Sequence, residues 1–261
     1  MREKSVKTSD STLEALLKRD RVMVGGGLLG ISLLAWAYMA HMAQHMLHMD
    51  IAMPHMQMWG GWNVFLLFVM WVVMMVAMML PTAAPAILMF AVMRRRHRQQ
   101  QTPFAPTVVF IIGYLLVWTG YSLLATVAQW GLHTAALLSP LMVSTSPLLG
   151  GALLLAAGIF QWTPLKYACL AHCRSPLGFF MTSWREGAYG ALLMGLRHGS
   201  YCVGCCWILM ALLFVAGVMN LLWVAAIAAF ILVEKVLPHG PMVGRVAGGI
   251  LVLAGLVLLV Q

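Results

Sequence analysis

Three of the chain's five cysteines lie in one stretch, MGLRHGSYCVGCCWILM at residues 194–210. At the α-helical repeat, His198, Cys202, Cys205 and Cys206 fall within about 100° of arc, so one face of one helix presents four soft or borderline ligands. Thiolate and neutral imidazole bind Cu(I) and Zn(II), and this face is expected to form one wall of a metal site. A lone cysteine in such a helix would read as a small buried hydrophobe, and Gly199 and Gly204 also suit close helix packing. Four such side chains on one face favour ligation.

A second ligand face occurs in LKYACLAHCRSP, residues 165–176. Cys169, His172 and Cys173 stand at i, i+3 and i+4, one above another on a helix. Both faces are expected at the inner level of a membrane, so all five cysteines converge at one depth. A cytosol-facing level keeps thiols reduced and favours ligation over a structural disulfide. Neither segment follows a zinc-ribbon or zinc-finger spacing. Glu234, the one carboxylate inside an apolar run, is expected at the same level, either relaying protons released on metal binding or paired with Lys166 or Lys235.

Methionine is the other soft ligand. Residues 39–58 hold seven methionines and four histidines. If the helix entering this stretch continues to Met49, His41, His45 and His48 stack on one face with Met42, Met46 and Met49 beside them. Thioethers select Cu(I) against Zn(II) and Mg(II), while imidazoles accept both copper states. In the next apolar run, Met70, Met74 and Met78 form one stripe, and Met75 with Met79 a second. Such stripes also serve as flexible packing. Pro81 removes a backbone donor and frees the carbonyl near Ala77, with Pro85 one turn later. A freed carbonyl at depth must be buried in protein or face a cavity.

The elements that position these residues are membrane helices. A chain of 261 residues that is 62% hydrophobic and 9% charged cannot bury so much apolar surface in one soluble core. The expected fold is all-α, a polytopic transmembrane bundle of about seven spans at 22–43, 62–92, 107–130, 147–162, 196–218, 221–236 and 243–260. An N-in, C-out orientation puts every Lys and Arg on the inner side and leaves 44–61, 131–146 and 217–220 without any, in accord with the positive-inside rule. The net charge of +9 therefore serves orientation and anionic-lipid contact, and a nucleic-acid partner is excluded. Residues 1–21 read as a cytoplasmic basic head, and 22–261 as the bundle, with an outer Met/His-rich loop at 39–58 and inner Cys-containing segments at 164–206. The first span, longer than a signal-peptide core, reads as an uncleaved anchor. RRRHRQQQ at 94–101 reads as a solvated inner loop.

The Met-rich span ending in AMMLPTAAP, the runs QWTPLKYACLAHCRSPLGFF and GLRHGSYCVGCCWILMALLFVAGVMN, and the later EK occur in order. Together they resemble a bacterial family of uncharacterised proteins, predicted metal-binding integral membrane proteins with a domain of unknown function. The resemblance covers most of residues 60–255, and it implies metal binding in the cytoplasmic (inner) membrane of a bacterium. The basic head and the Met/His loop lie outside its motifs.

The leading expectation is soft-metal handling, with Cu(I) as the ion and zinc as a second candidate. Outer Met/His residues would collect it, the second-span methionines would pass it on, and the Cys/His faces would hold it. A copper chaperone or a copper enzyme under assembly would be the partner, and no catalysis is expected of the chain. The alternative is a membrane thiol-disulfide oxidoreductase exchanging electrons between Cys202/Cys205 and Cys169/Cys173, which leaves the methionines unexplained. Haem held by His and Met axial ligands is a third reading. No nucleotide loop, carboxylate dyad or Ser/His/Asp arrangement occurs, which argues against a hydrolase.

Overall fold

A computed structural model describes residues 2–52, 60–97, 104–135, 137 and 146–260, with side chains from 18–45, 60–95, 106–135, 137 and 146–260. Met53, His55, Met56 and Met58 lie outside the described residues, as do the side chains of Met46, His48 and Met49. Ten helices follow one another: α1 (Arg2–Ala52), α2 (Gly61–His97), α3 (Phe104–Thr134), α4 (Pro147–Phe160), α5 (Pro164–Arg174), α6 (Pro176–Ser183), α7 (Gly187–Ala211), α8 (Leu213–Ala216), α9 (Leu221–Val236) and α10 (Gly240–Val260).

Five of these contain segments long and apolar enough to cross a membrane: Lys18–His45, Gly61–Arg95, Pro106–Thr134, Gly187–Ala216 and Gly240–Val260. Seven separate spans were expected. The run at 147–162 is instead the first half of a broken pair, α4 and α5, bent by 65°, which as one span makes six. The bend has a local cause. Pro164 has no N–H to continue the ladder, and Thr163 caps the new helix by accepting from the Lys166 backbone N–H. Helix α9 has only 16 residues, about 24 Å of rise.

The basic head is continuous with the first span, because no proline or glycine-plus-cap stop signal separates them before Pro54. Nor is the arginine run a wholly solvated loop. Arg94 and Arg95 are buried within α2, and Arg95 makes two contacts to the Asp20 carboxylate of α1, at 2.6 and 2.9 Å. Helix α2 runs unbroken through Pro81 and Pro85. The carbonyl that Pro81 leaves without its helical partner is that of Ala77, and the Trp36 indole N–H of α1 donates to it at 3.2 Å.

Helices α3 and α7 pack in parallel at glycines. A Cβ on Gly195 would strike the Phe110 carbonyl, and one on Gly113 the Leu192 carbonyl. One turn further, a Cβ on Gly199 would lie 3.0 Å from Val117 Cβ. Such small-residue contacts let two backbones approach in the membrane. The α4 and α10 helices meet likewise but antiparallel, Gly151 against Gly255 and Gly158 against Gly248. On α3, Thr119, Ser122 and Thr126 return their hydroxyl hydrogen bonds to carbonyls four residues earlier, as isolated hydroxyls in an apolar helix do. Helix α7 begins at Gly187 (φ 80°), earlier than the expected 196. The residues before it form α6, which buries Phe179 and Phe180.

Candidate metal centre

The centre is framed by a fully paired buried charge. The Lys166 ammonium of α5 donates to both carboxylate oxygens of Glu234 on α9, at 2.6 and 2.9 Å, and also to Gln161 Oε1. Three N–H groups meet three acceptors, and Lys166 and Glu234 are 1% and 2% exposed. Arg174 locks the same corner by donating to the backbone carbonyls of Glu234 and Pro238. Of the two roles read for Glu234, the geometry displays the ion pair. Lys166 and Lys235, both counted as inner-side charges, lie buried inside the bundle.

With α9 fixed in this way, the next residue, Lys235, points about 100° further round the helix and enters the sulfur cluster. Its ammonium donates to Cys202 Sγ at 3.0 Å and to Thr82 Oγ1 at 3.1 Å. Tyr114 Oη lies 3.1 Å from the same sulfur. The Tyr114 and Thr82 hydroxyls both donate to the Met79 carbonyl, at 3.0 and 2.9 Å. Cys202 is thus a hub on which α2, α3, α7 and α9 converge.

The other thiols surround it. Cys205 and Cys206 donate to the Cys202 carbonyl at 3.1 and 2.9 Å. Cys173 of α5 interacts with the thiols of both Cys202 and Cys205. Cys169 packs on the bare face of Gly204, where a Cβ would lie 2.8 Å from its sulfur. All five cysteines are free. An ammonium among sulfurs complements the charge that a thiolate ligand carries.

The structure brings Cys173 to Cys202 and Cys205 and sets Cys169 against Gly204, and it divides the expected seven-residue site. His172 stacks on Tyr201, with ring centroids 4.1 Å apart, and its Nδ1 donates to the Ala168 carbonyl at 2.8 Å. His198 is buried among the rings of Phe110, Tyr114 and Phe179, and its Nδ1 has no hydrogen-bond partner among the described residues. Among the described residues no three His, Cys, Asp or Glu side chains are arranged to hold a metal ion. The reason is local: Cys205 and Cys206 bond back to their own helix, and each imidazole finds an aromatic partner. Nothing of a tetrahedral Cys/His set, the arrangement zinc takes in structural sites, is present there.

On α2, Met70, Met74, Met75, Met78 and Met79 are all buried, at most 4% exposed. Met42 of α1 meets Met70 and Met74 in a small cleft. His41 and His45 meet edge to face on the exposed side of α1, with ring centroids 4.3 Å apart, and neither lines that cleft. Sequence reasoning missed three things: Tyr114 as a neighbour of Cys202, Lys235 as the cation there with Thr82 as its second acceptor, and Met39 and Met219 as companions of Met42. An ionisable residue inside an apolar run is by default a functional candidate, and that signal was available for Lys235.

Residues 68–258 match the family described as PpoB2, copper chaperone. The chain belongs to that family. No curated protein and no solved structure matches it. The match agrees with the resemblance read from the motifs. The PpoB2 segment contains all five cysteines, Tyr114, Glu234, Lys235 and the α2 methionines from Met70 on, and it begins after α1 with its His41 and His45.

Proposed function

We propose that this chain is a membrane-embedded Cu(I) chaperone that receives the ion through thioethers and holds it at the thiols of Cys169, Cys173, Cys202, Cys205 and Cys206. From there it passes the ion to a copper enzyme under assembly, to a copper-binding partner, or across the bilayer. The observation that carries this is the meeting of Cys173 with Cys202 and Cys205 beside the Lys235 ammonium. Soft thiolates are the ligands Cu(I) prefers, and a buried cation balances the excess negative charge of a multi-thiolate site. Membership in a copper chaperone family supports the same reading. The ion is cargo, so transfer needs no reaction beyond ligand exchange.

The orientation that suits this role is N-in and C-out in a bacterial inner membrane, with α4–α5 and α9 completing seven crossings. The basic residues left after Lys166 and Lys235 are set aside support it, since the segments at 44–61, 131–146 and 217–220 contain none.

The test is elemental analysis of the full chain purified in detergent under reducing conditions. Wild type is expected to retain copper near one ion per chain after Cu(I) loading, and Cys202→Ser/Cys205→Ser/Cys206→Ser to lose more than about a hundredfold in affinity, beyond the loss typical of outer-shell changes. If wild type binds no Cu(I) while Cys173 and Cys202 interconvert with a disulfide, the copper reading fails and thiol-disulfide exchange replaces it.

A further inference from the structure

The cleft between α1, α2 and the turn leading into α9 is lined by Met39, Met42, Met70, Met74 and Met219, with Tyr38 and Val218 completing the wall. Methionine makes up 22 of the 261 residues, so five of seven lining side chains is far above chance. The free space is about 10 Å³, the size of a single water or small ion. Three chain segments distant in sequence supply the sulfurs, and no carboxylate, thiol or imidazole lines the wall.

We propose that these five thioethers form a Cu(I) site of their own, separate from the thiols, at the end of the bundle where α2 begins. The inference rests on the copper reading above and names where the ion is first held. The donor set is neutral and soft. It can bind a monovalent soft ion without burying a counter-charge, and it offers nothing to Zn(II), whose double charge needs anionic or imidazole donors. Thioethers bind Cu(I) more weakly than thiolates, so the ion moves downhill from this cleft to the sulfurs of α5 and α7. The route is short. Met74 and Met78 lie on one stripe of α2, and Thr82, whose hydroxyl accepts from the same Lys235 that contacts Cys202, stands eight residues beyond Met74, about 12 Å along the helix. His41 and His45, on the exposed side of α1, are not needed for this site.

Cu(I) binding is measured by equilibrium dialysis under ascorbate on the full chain carrying Ser at Cys169, Cys173, Cys202, Cys205 and Cys206. This thiol-free protein is expected to retain one Cu(I) and no Zn(II). Adding Met39→Leu, Met42→Leu, Met70→Leu, Met74→Leu and Met219→Leu, which nearly conserve side-chain volume, should weaken Cu(I) binding at least about tenfold. A second measurement needs no methionine variant. In thiol-free protein labelled with ¹³C at the methionine methyls, Ag(I), a soft monovalent stand-in, should shift the resonances of these five methionines and leave Met194 and Met210 in place. If wild type binds Cu(I) but the thiol-free protein does not, the thioether site is overturned and the thiol reading stands. Retention of Cu(I) by the leucine variant, or Ag(I) shifts confined to other methyls, also overturns the site. Failure of wild type itself to bind Cu(I) removes the copper reading and the site with it.

Discussion

Replacing Lys166 with Met is expected to destabilise the bundle by about 3–5 kcal/mol, the cost of leaving one member of a buried ion pair uncompensated. Lys166 supplies all the charge-assisted hydrogen bonds the structure gives to the Glu234 carboxylate. Glu234 is 2% exposed. The damage would reach the sulfur cluster, because Lys235 is the next residue on α9 and its contact with Cys202 depends on how that helix is seated. Thermal denaturation in detergent reads the loss. The double change Lys166→Met/Glu234→Leu should recover most of it, since a buried pair replaced by apolar side chains of similar size is commonly neutral or stabilising. The pair also separates two roles for Glu234. A stable double variant that still retains copper marks a structural ion pair, whereas a stable one that has lost copper marks a proton-handling carboxylate.

A second large loss is expected for Gly195→Leu. The atom a Cβ would meet there is the Phe110 carbonyl oxygen, with the Tyr114 backbone nitrogen at 3.1 Å. A backbone cannot rotate away as a side chain can. Helices α3 and α7 must separate, and the cost lies at or above the upper end of the roughly 1–3 kcal/mol typical of overpacking. Tyr114 is one turn from Phe110, so its 3.1 Å contact with Cys202 opens as the helices part, and copper retention should fall together with stability. Gly120→Ala on the same α3 is the control. Nothing lies within 4 Å of that Cβ, and alanine favours a helix over glycine by about 1 kcal/mol. Equal damage from both changes would mean that helix flexibility, not close approach, explains Gly195.

Much of this arrangement follows from simple periodicity. Cys169 and Cys173 at i and i+4 share a helix face, as do Cys202 and Cys206, and two such faces in an apolar bundle have few places to turn except toward each other. Pro81 likewise identifies the carbonyl that lacks a partner. Helical spacing alone could not show that the Trp36 indole, 41 residues earlier, would supply the missing donor. The histidines show the limit of spacing most clearly. His172 and His198 share the thiol faces by angle, yet both are taken up by aromatic rings that come from the fold: Tyr201 for one, Phe110, Tyr114 and Phe179 for the other. Lys235 is the converse case. Its neighbour Glu234 looks like its natural partner, but adjacent helix residues point about 100° apart, so one pairs with α5 and the other enters the sulfur cluster. Met219 lies in a turn set by Gly217 (φ 95°) and the Asn220 cap, where no periodicity marks it as a companion of Met42. The shape of the crossings is hidden for a related reason: hydropathy registers 147–162 as one apolar run but not the 65° break at Pro164, nor that α9 is only 16 residues long.

Copper held by buried sulfur is bound through sulfur alone. Copper X-ray absorption on the Cu(I)-loaded full chain tests it most directly, because the first shell distinguishes sulfur from nitrogen and oxygen. Wild type is expected to show a sulfur-only shell, and Cys173→Ser a shell with fewer thiolate sulfurs and weaker retention, since that residue joins α5 to Cys202 and Cys205. A first shell dominated by nitrogen or oxygen, unchanged by Cys173→Ser, would contradict it and place the ion at the histidines instead.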